Sequence, residues 1–205
     1  MFCLGKPLPA VFVIAALALA SAGSSSAQAP APAPTTPPGQ TDTGPAPGTK
    51  PGDPFGEELT LTPKTIVYLK SSATWDSAFE SIQDAFKNVY AYLERQNIKP
   101  AGPAMTIYTA SDDAGFEFQA AVPIAEEPKD PPKGDLAIGK SPEGKALKFM
   151  HRGSYDSLDA AYDAITHYLD ERKLEARDLY IEQYDTDLIK TPEDNLVIQV
   201  LVPIK

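Results

Sequence analysis

The sequence predicts an α+β fold of about eight antiparallel strands and two helices, built as two duplicated ββαββ units. Three observations predict it. The first is an internal repeat: TWDSAFESI (74–82) returns as SYDSLDAAY (154–162), YLERQNI (92–98) as YLDERKL (168–174), and FQAAVPI (118–124) as IQVLVPI (198–204). The second is one helical stripe in each copy. The third is a set of apolar, β-branched runs on either side of each stripe.

The elements follow in order. LTLTPKTIVYLK (59–70) has the pattern of a hairpin turning at Thr62-Pro63-Lys64. Next, Trp75, Ala78, Phe79, Ile82, Ala85, Phe86, Val89, Tyr90 and Leu93 fall at three/four spacing, the apolar face of a helix. Ser77 and Glu80 stand at capping-box spacing near its start. Strands AMTIY (104–108) and FQAAVPI close the first copy, about 56–125, and AEEPKDPPKG (125–134) links it to the second, about 134–205. There LAIGKSPEGKALKFM (136–150) reads as a second hairpin, turning at SPEG. A helix with Leu158, Ala161, Tyr162, Ile165, Tyr168 and Leu169 on one face follows, then strands YIEQY (180–184) and IQVLVPI. Two such copies set about a pseudo-twofold axis leave a seam between them, a natural cleft for a small molecule.

The N-terminus has a different character. Lys6 precedes an apolar run over 10–22, short of the roughly 20 residues that span a bilayer. Small residues then supply cleavage patterns ending at Ala27 or Ala29, and cutting after Ala27 keeps Pro30 away from the scissile bond. Residues 1–27 are therefore expected to be a signal peptide, and the chain is expected to be exported, periplasmic or secreted in a bacterium, with no membrane span after cleavage. Residues 28–55, rich in Pro, Ala, Gly and Thr, are expected to form a disordered spacer. The only cysteine, Cys3, lies in the signal segment and precedes the apolar run, unlike a lipoprotein cysteine, so the mature chain has no disulfide or thiol nucleophile. Loss of Lys6 takes the formal charge from −10 to −11. Such a polyanion is unsuited to nucleic acid, which is bound by cations that neutralise phosphates.

One strand carries the candidate chemistry. In YIEQYDTD (180–187), Tyr180, Glu182 and Tyr184 share a face, because strand side chains alternate. Aligned copies put Thr106 opposite Glu182 and Tyr108 opposite Tyr184, so the fold does not demand an acid there. Met105, Ile107 and Ile181 read as the face that packs on the helices, leaving Thr106, Tyr108, Tyr180, Glu182 and Tyr184 on the other. Pattern alone leaves two readings open for Glu182, a solvated strand residue or the floor of a binding site. A carboxylate framed by aromatic rings suits a cationic amphiphile, through charge pairing and cation–π attraction together. Tyr155 and Trp75, at matching helix starts, either wall this cleft or staple the helices to the sheet; Glu117 is a second acid to consider. His151 is isolated and His167 lies in a solvated i, i+4 stripe with Asp163 and Glu171, so neither marks a metal site. No phosphate loop, Gly-x-Ser-x-Gly elbow or other cofactor motif is present, and no cofactor is expected.

HRGSYDSLDAAYDAITHYLDE (151–171), YIEQYDTD and TPEDNLVIQVLVPIK (191–205) together resemble the GyrI-like effector-binding domain, which also forms the sensor part of some AraC-type and MerR-type bacterial regulators. Gly153-Ser154-Tyr155, Glu182-Gln183-Tyr184 and Val202-Pro203 carry the resemblance. It extends over essentially all of 56–205. It implies an SHS2-like, pseudo-twofold sheet with a groove for hydrophobic, often cationic molecules, and Glu182 matches the family's groove glutamate. Before residue 56 the sequence offers no helix-turn-helix, and export removes both transcription and gyrase inhibition. The expected function is therefore binding of an apolar, cationic small molecule by a monomer. Glu182 would be the anchor, with Tyr184, Tyr180, Tyr108, Tyr155 and Trp75 around it. Two alternatives stay open: a hydrolase of a reactive electrophile using Glu182 as general acid/base, and a non-catalytic interaction protein of the envelope.

Overall fold

The computed structural model describes residues 55–205; the expected signal peptide (1–27) and all of the expected spacer (28–55) except Phe55 lie outside the described residues. The strands are β1 (Phe55–Leu61), β2 (Thr65–Thr74), β3 (Met105–Ser111), β4 (Gly115–Pro123), β5 (Leu136–Lys140), β6 (Gly144–Arg152), β7 (Tyr180–Tyr184) and β8 (Val197–Pro203). The helices are α1 (Ala78–Arg95) and α2 (Leu158–Arg172). The eight strands form one antiparallel sheet in the order β1-β6-β8-β7-β3-β4-β2-β5. Among the described residues, no helix is long and apolar enough to cross a membrane.

Both expected hairpins are corrected. Thr62-Pro63-Lys64 does end one strand and begin another, but β1 pairs with β6, and β2 pairs with β4 and β5. The SPEG turn likewise separates β5 from β6 without pairing them. β1 is thus exchanged onto β6, and β5 onto β2. A turn signature marks where a strand stops and is silent about which strand it then joins.

That exchange shapes the sheet. β1 lies at one edge and β2 six places away, which on a flat sheet is about 29 Å at the usual strand spacing. The step from Leu61 to Thr65 reaches at most about 14 Å even fully extended. The sheet must therefore curl until its edges approach. The two connections meet there: the Lys64 N–H donates to Ser141 Oγ at 2.9 Å, and the Ser141 N–H donates to the Lys64 carbonyl at 2.9 Å.

Curling gives the protein two apolar layers. Between the helices and the sheet lies the main core, with Phe86, Phe118, Phe149, Ile82, Leu93 and Ile165 fully buried. The opposite face, inside the curl, buries a smaller cluster of Ile66, Met105, Ile107, Ala121, Ile181 and Leu201.

The helix stripes fall as the periodicity predicts, with Ile82, Ala85, Phe86, Val89 and Leu93 buried on α1 and Leu158, Ala161, Ile165 and Leu169 on α2. The capping box does not form: Ser77 makes no side-chain cap, because a 3₁₀ turn over Trp75–Ser77 leads into α1 and holds the Ser77 hydroxyl against Thr74 at 3.0 Å. Both helices stop alike. Asn97 and Lys173 each take φ 55°, and the N–H groups of Ile98 and Leu174 reach back to the carbonyls of Leu93 and Leu169 at 2.9 and 3.0 Å. This six-to-one closure satisfies carbonyls that a helix end leaves open.

Candidate functional site

β3 and β7 pair at the middle of the sheet, with Thr106 directly across from Glu182. The expected assignment of faces is inverted here. Thr106, Tyr108, Tyr180, Glu182 and Tyr184 point toward the helices, whereas Met105, Ile107 and Ile181 fill the curl on the other side. The apolar alternation was real, but with apolar layers on both faces it does not say which face the helices cover. Glu182 is consequently 1% exposed, beneath the helices.

A buried carboxylate needs partners, and tyrosines supply them. Tyr162 on α2 donates to Glu182 Oε1 at 2.9 Å; Tyr184 and Tyr155 donate to Oε2 at 2.9 and 3.1 Å. A hydroxyl has one proton to give. Tyr184 spends its proton on Glu182, so in its 2.8 Å contact with Thr106 Oγ1 the threonine is the donor. By the same count Tyr155 accepts from Tyr108 at 2.7 Å. Two relays and one direct bond thus all send protons inward, an arrangement suited to a negative charge. Burial nevertheless raises the Glu182 carboxyl above its ordinary 4.5, and the tyrosine bonds, which pull the other way, do not fully offset it. Burial and then the Glu182 charge push the hydroxyls of Tyr108, Tyr155, Tyr162 and Tyr184 well above their ordinary 10.0. The ring therefore stays protonated and donating through the neutral range.

Local structure aims these groups. Gly153, at φ 122°, makes the turn out of β6 that L side chains rarely adopt, and its N–H is held by the Leu196 carbonyl at 3.0 Å. A 3₁₀ turn over Tyr155–Ser157 then presents Tyr155 to the acid. Beneath that turn His151, fully buried, meets the Ser154 carbonyl through Nε2 at 3.0 Å, while its Nδ1 is buried without a partner. Aromatic rings enclose the cluster: Phe79 lies 5.1 Å from Tyr155, and Phe86 meets Tyr184 edge-on at 5.6 Å.

Of the six residues expected at the site, Glu182, Tyr184 and Tyr155 touch directly, and Tyr108 joins through Tyr155. Tyr180 makes no bond to Glu182 and stands edge-on to Tyr162 at 5.8 Å. Trp75 is away from the acid. It is 49% exposed, stacks on Phe116 at 4.8 Å and donates its indole N–H to the Asp112 carbonyl at 2.8 Å. Glu117 is an exposed residue of β4, pointing away from the helices. Tyr162 is the residue sequence reasoning missed as a ligand of the acid; it was placed in the α2 apolar stripe, and only its hydroxyl signalled more. Two surface cavities, of about 610 and 540 Å³, lie elsewhere and are not lined by Glu182. Among the described residues no group of three or more His, Cys, Asp or Glu is placed to hold a metal.

A curled antiparallel sheet beneath two helices, with a buried acid ringed by aromatic hydroxyls between them, defines a two-layer α+β domain. Residues 57–205 match the GyrI-like small molecule binding domain, and the chain belongs to that family. No curated protein sequence matches it. Among solved structures, the EcmrR C-terminal domain superposes with a TM-score of 0.61 at 14% identity, covering 73% of this chain and 96% of that one. Against EcmrR in its DNA complex the TM-score is 0.63 at 12% identity, and the match covers 73% of this chain but only 57% of that one. SAV2435 bound to tetraphenylphosphonium matches at 0.50 and 14% identity, covering 73% and 93% of the two chains. A hydrolase from Listeria innocua matches at 0.50 and 10% identity, covering 74% and 92%. At these identities the likeness is one of fold.

Proposed function

We propose that this protein is an exported binding protein for an apolar, cationic small molecule, built from two copies of one ββαββ unit, with Glu182 as its charge anchor. The observation that carries the reading is the carboxylate itself, buried among tyrosine hydroxyls that all donate to it. An acid held this way offers a ready negative charge to a cation, and the rings of Tyr155, Tyr162, Tyr184, Phe79 and Phe86 offer apolar and cation–π contact. The bound cation named for SAV2435 supports the same chemistry. Duplication is supported by the strand order, which is unchanged when read from the other edge with the two copies interchanged. It is also supported by Thr106 and Glu182: they are aligned copies of each other and also direct cross-strand partners, as residues on a twofold axis must be.

In the present arrangement the tyrosines fill the space over the acid. Ligand entry therefore requires Tyr155 and Tyr162, on the helix side, to swing away. Charge-assisted hydrogen bonds contribute about 1.5–3 kcal/mol each, so only a ligand that brings its own positive charge can replace them. The test is calorimetric titration of the chain with tetraphenylphosphonium. Binding that weakens about tenfold or more in Glu182→Gln, a loss of about 1.4 kcal/mol or more, supports the anchor; equal affinity in the two proteins removes it.

The closed ring also favours a second reading, a structural acid in a non-catalytic interaction protein of the envelope. In that case no lipophilic cation binds, and Glu182→Gln alters stability alone. Hydrolysis is the less favoured reading, because both carboxylate oxygens are already bonded to tyrosines and a substrate water would have to displace one of them.

A further inference from the structure

An open surface cavity of about 540 Å³ lies at the mouth of the curl, on the face of the sheet opposite to Glu182. Ile107, which is 3% exposed, and Leu179 contribute its apolar wall, with Pro63 and Pro142 from the two crossing connections. Thr109 and Gln119 add neutral polar groups. The charges at its rim are Lys140, Arg177 and Glu143. In a chain of formal charge −10 this is a locally cationic place.

Neither cation is ion-paired among the described residues. Lys140 Nζ donates to Thr65 Oγ1 at 2.7 Å, and one guanidinium N–H of Arg177 reaches the Glu143 carbonyl at 3.3 Å. Both contacts are to neutral oxygens, so they position the cations without neutralising them. The fold does not require the guanidinium either. The Arg177 N–H bonds the Pro203 carbonyl at 2.8 Å, and Ala101, at the same offset as Thr106 from Glu182, bonds the Pro123 carbonyl at the same distance. Alanine thus performs the backbone task in the first copy, as threonine replaces the acid there.

We propose that this cavity is a second binding site, for an apolar monoanion: a carboxylate amphiphile whose chain lies against Ile107 and Leu179 and whose head group meets Arg177 and Lys140. Its volume lies within the range usual for small-molecule sites, and an arginine fork is matched to a carboxylate. The two sites take opposite charge on opposite faces of one sheet.

The test titrates the full chain with decanoate, 1-decanol and decyltrimethylammonium, following binding by calorimetry and amide shifts. Decanoate is expected to bind, to perturb residues around Ile107 and Gln119, and to be unaffected by saturating tetraphenylphosphonium. Its affinity should fall about tenfold in the double variant Lys140→Gln/Arg177→Gln and by a similar factor in Arg177→Glu, since each shifts the local charge by two units and exposed charge pairs contribute up to about fivefold each. Thermal melts that match the parent chain show that these surface variants fold. Absence of decanoate binding, equal binding of decanol, full affinity in the double variant, or displacement by tetraphenylphosphonium would each overturn the proposal.

Discussion

At the residue scale, Glu182 is held by two effects of opposite sign. Five hydroxyls donate toward it directly or by relay, yet burial prevails and its carboxyl sits above 4.5. Linkage fixes the consequence. With the folded value above the unfolded one, the native state takes up the proton more readily, so this group's contribution is greatest below the unfolded value. It is lost as pH rises through the folded value. A neutral isostere does not titrate. The melting temperature of Glu182→Gln, compared with the parent chain, should therefore rise in relative terms from about pH 4.5 upward and level off above the folded value. A difference constant across pH 4 to 8 would show that the acid is not desolvated. The same shift predicts that a cation bound at Glu182 binds more tightly as pH rises through that window, with release of a proton on binding. The residues of this site were partly legible in the sequence. Glu182 and Tyr184 show themselves because they share a strand face, and Tyr155 because it follows Gly153. Tyr162 did not, since a tyrosine on an apolar helix stripe has the same pattern whether its hydroxyl meets water or an acid. Trp75, at the helix start that matches Tyr155 in sequence, packs on Phe116 instead, since matching sequence positions need not meet the same neighbours.

At the element scale, the turn between β6 and α2 is where the site is secured. Gly153 supplies the backbone angle, Ser154 accepts the His151 N–H, and Tyr155 follows within one residue. His151 has no second partner at Nδ1, and burial lowers its value below 6.5, with the Ser154 bond opposing. Here the sign is reversed. The unfolded state binds the proton more readily, so the contribution is intact above the unfolded value, about 6.5, and is lost as pH falls through the folded one. In His151→Gln the melting temperature should fall less steeply than in the parent chain between about pH 6.5 and 5. Parallel slopes would mean that another group carries the acid sensitivity. The strands and helices themselves were legible, because period two and period three/four survive in the sequence whatever the tertiary partner. Strand partnership was not. LTLTPKTIVYLK has every local feature of a hairpin, and only the competing pairing of β1 with β6 decides otherwise.

At the scale of the whole molecule, that exchange makes residues 55–125 and 134–205 interdependent. Among the described residues β1 pairs with β6 alone and β5 with β2 alone, and the sheet is closed at its centre by β3 against β7. Either segment on its own would leave its first strand unpaired and one side of β3 or β7 open, with the apolar face inside the curl exposed to water. The segment 125–134 between them, by contrast, is largely exposed and carries no strand. Cutting there, between Pro132 and Lys133, should therefore separate two chains that cannot fold alone but can still assemble, since every long-range pairing is preserved when both are present. Each fragment is expected to lack a cooperative melt and to bind a dye for exposed apolar surface. An equimolar mixture should recover the near-ultraviolet spectrum of the intact domain, with a midpoint that rises with concentration as association requires. A first fragment that melts cooperatively by itself would mean that β1 can return to β2 as a hairpin. The turn chemistry of Thr62-Pro63-Lys64 would then outweigh the exchange once the second copy is removed.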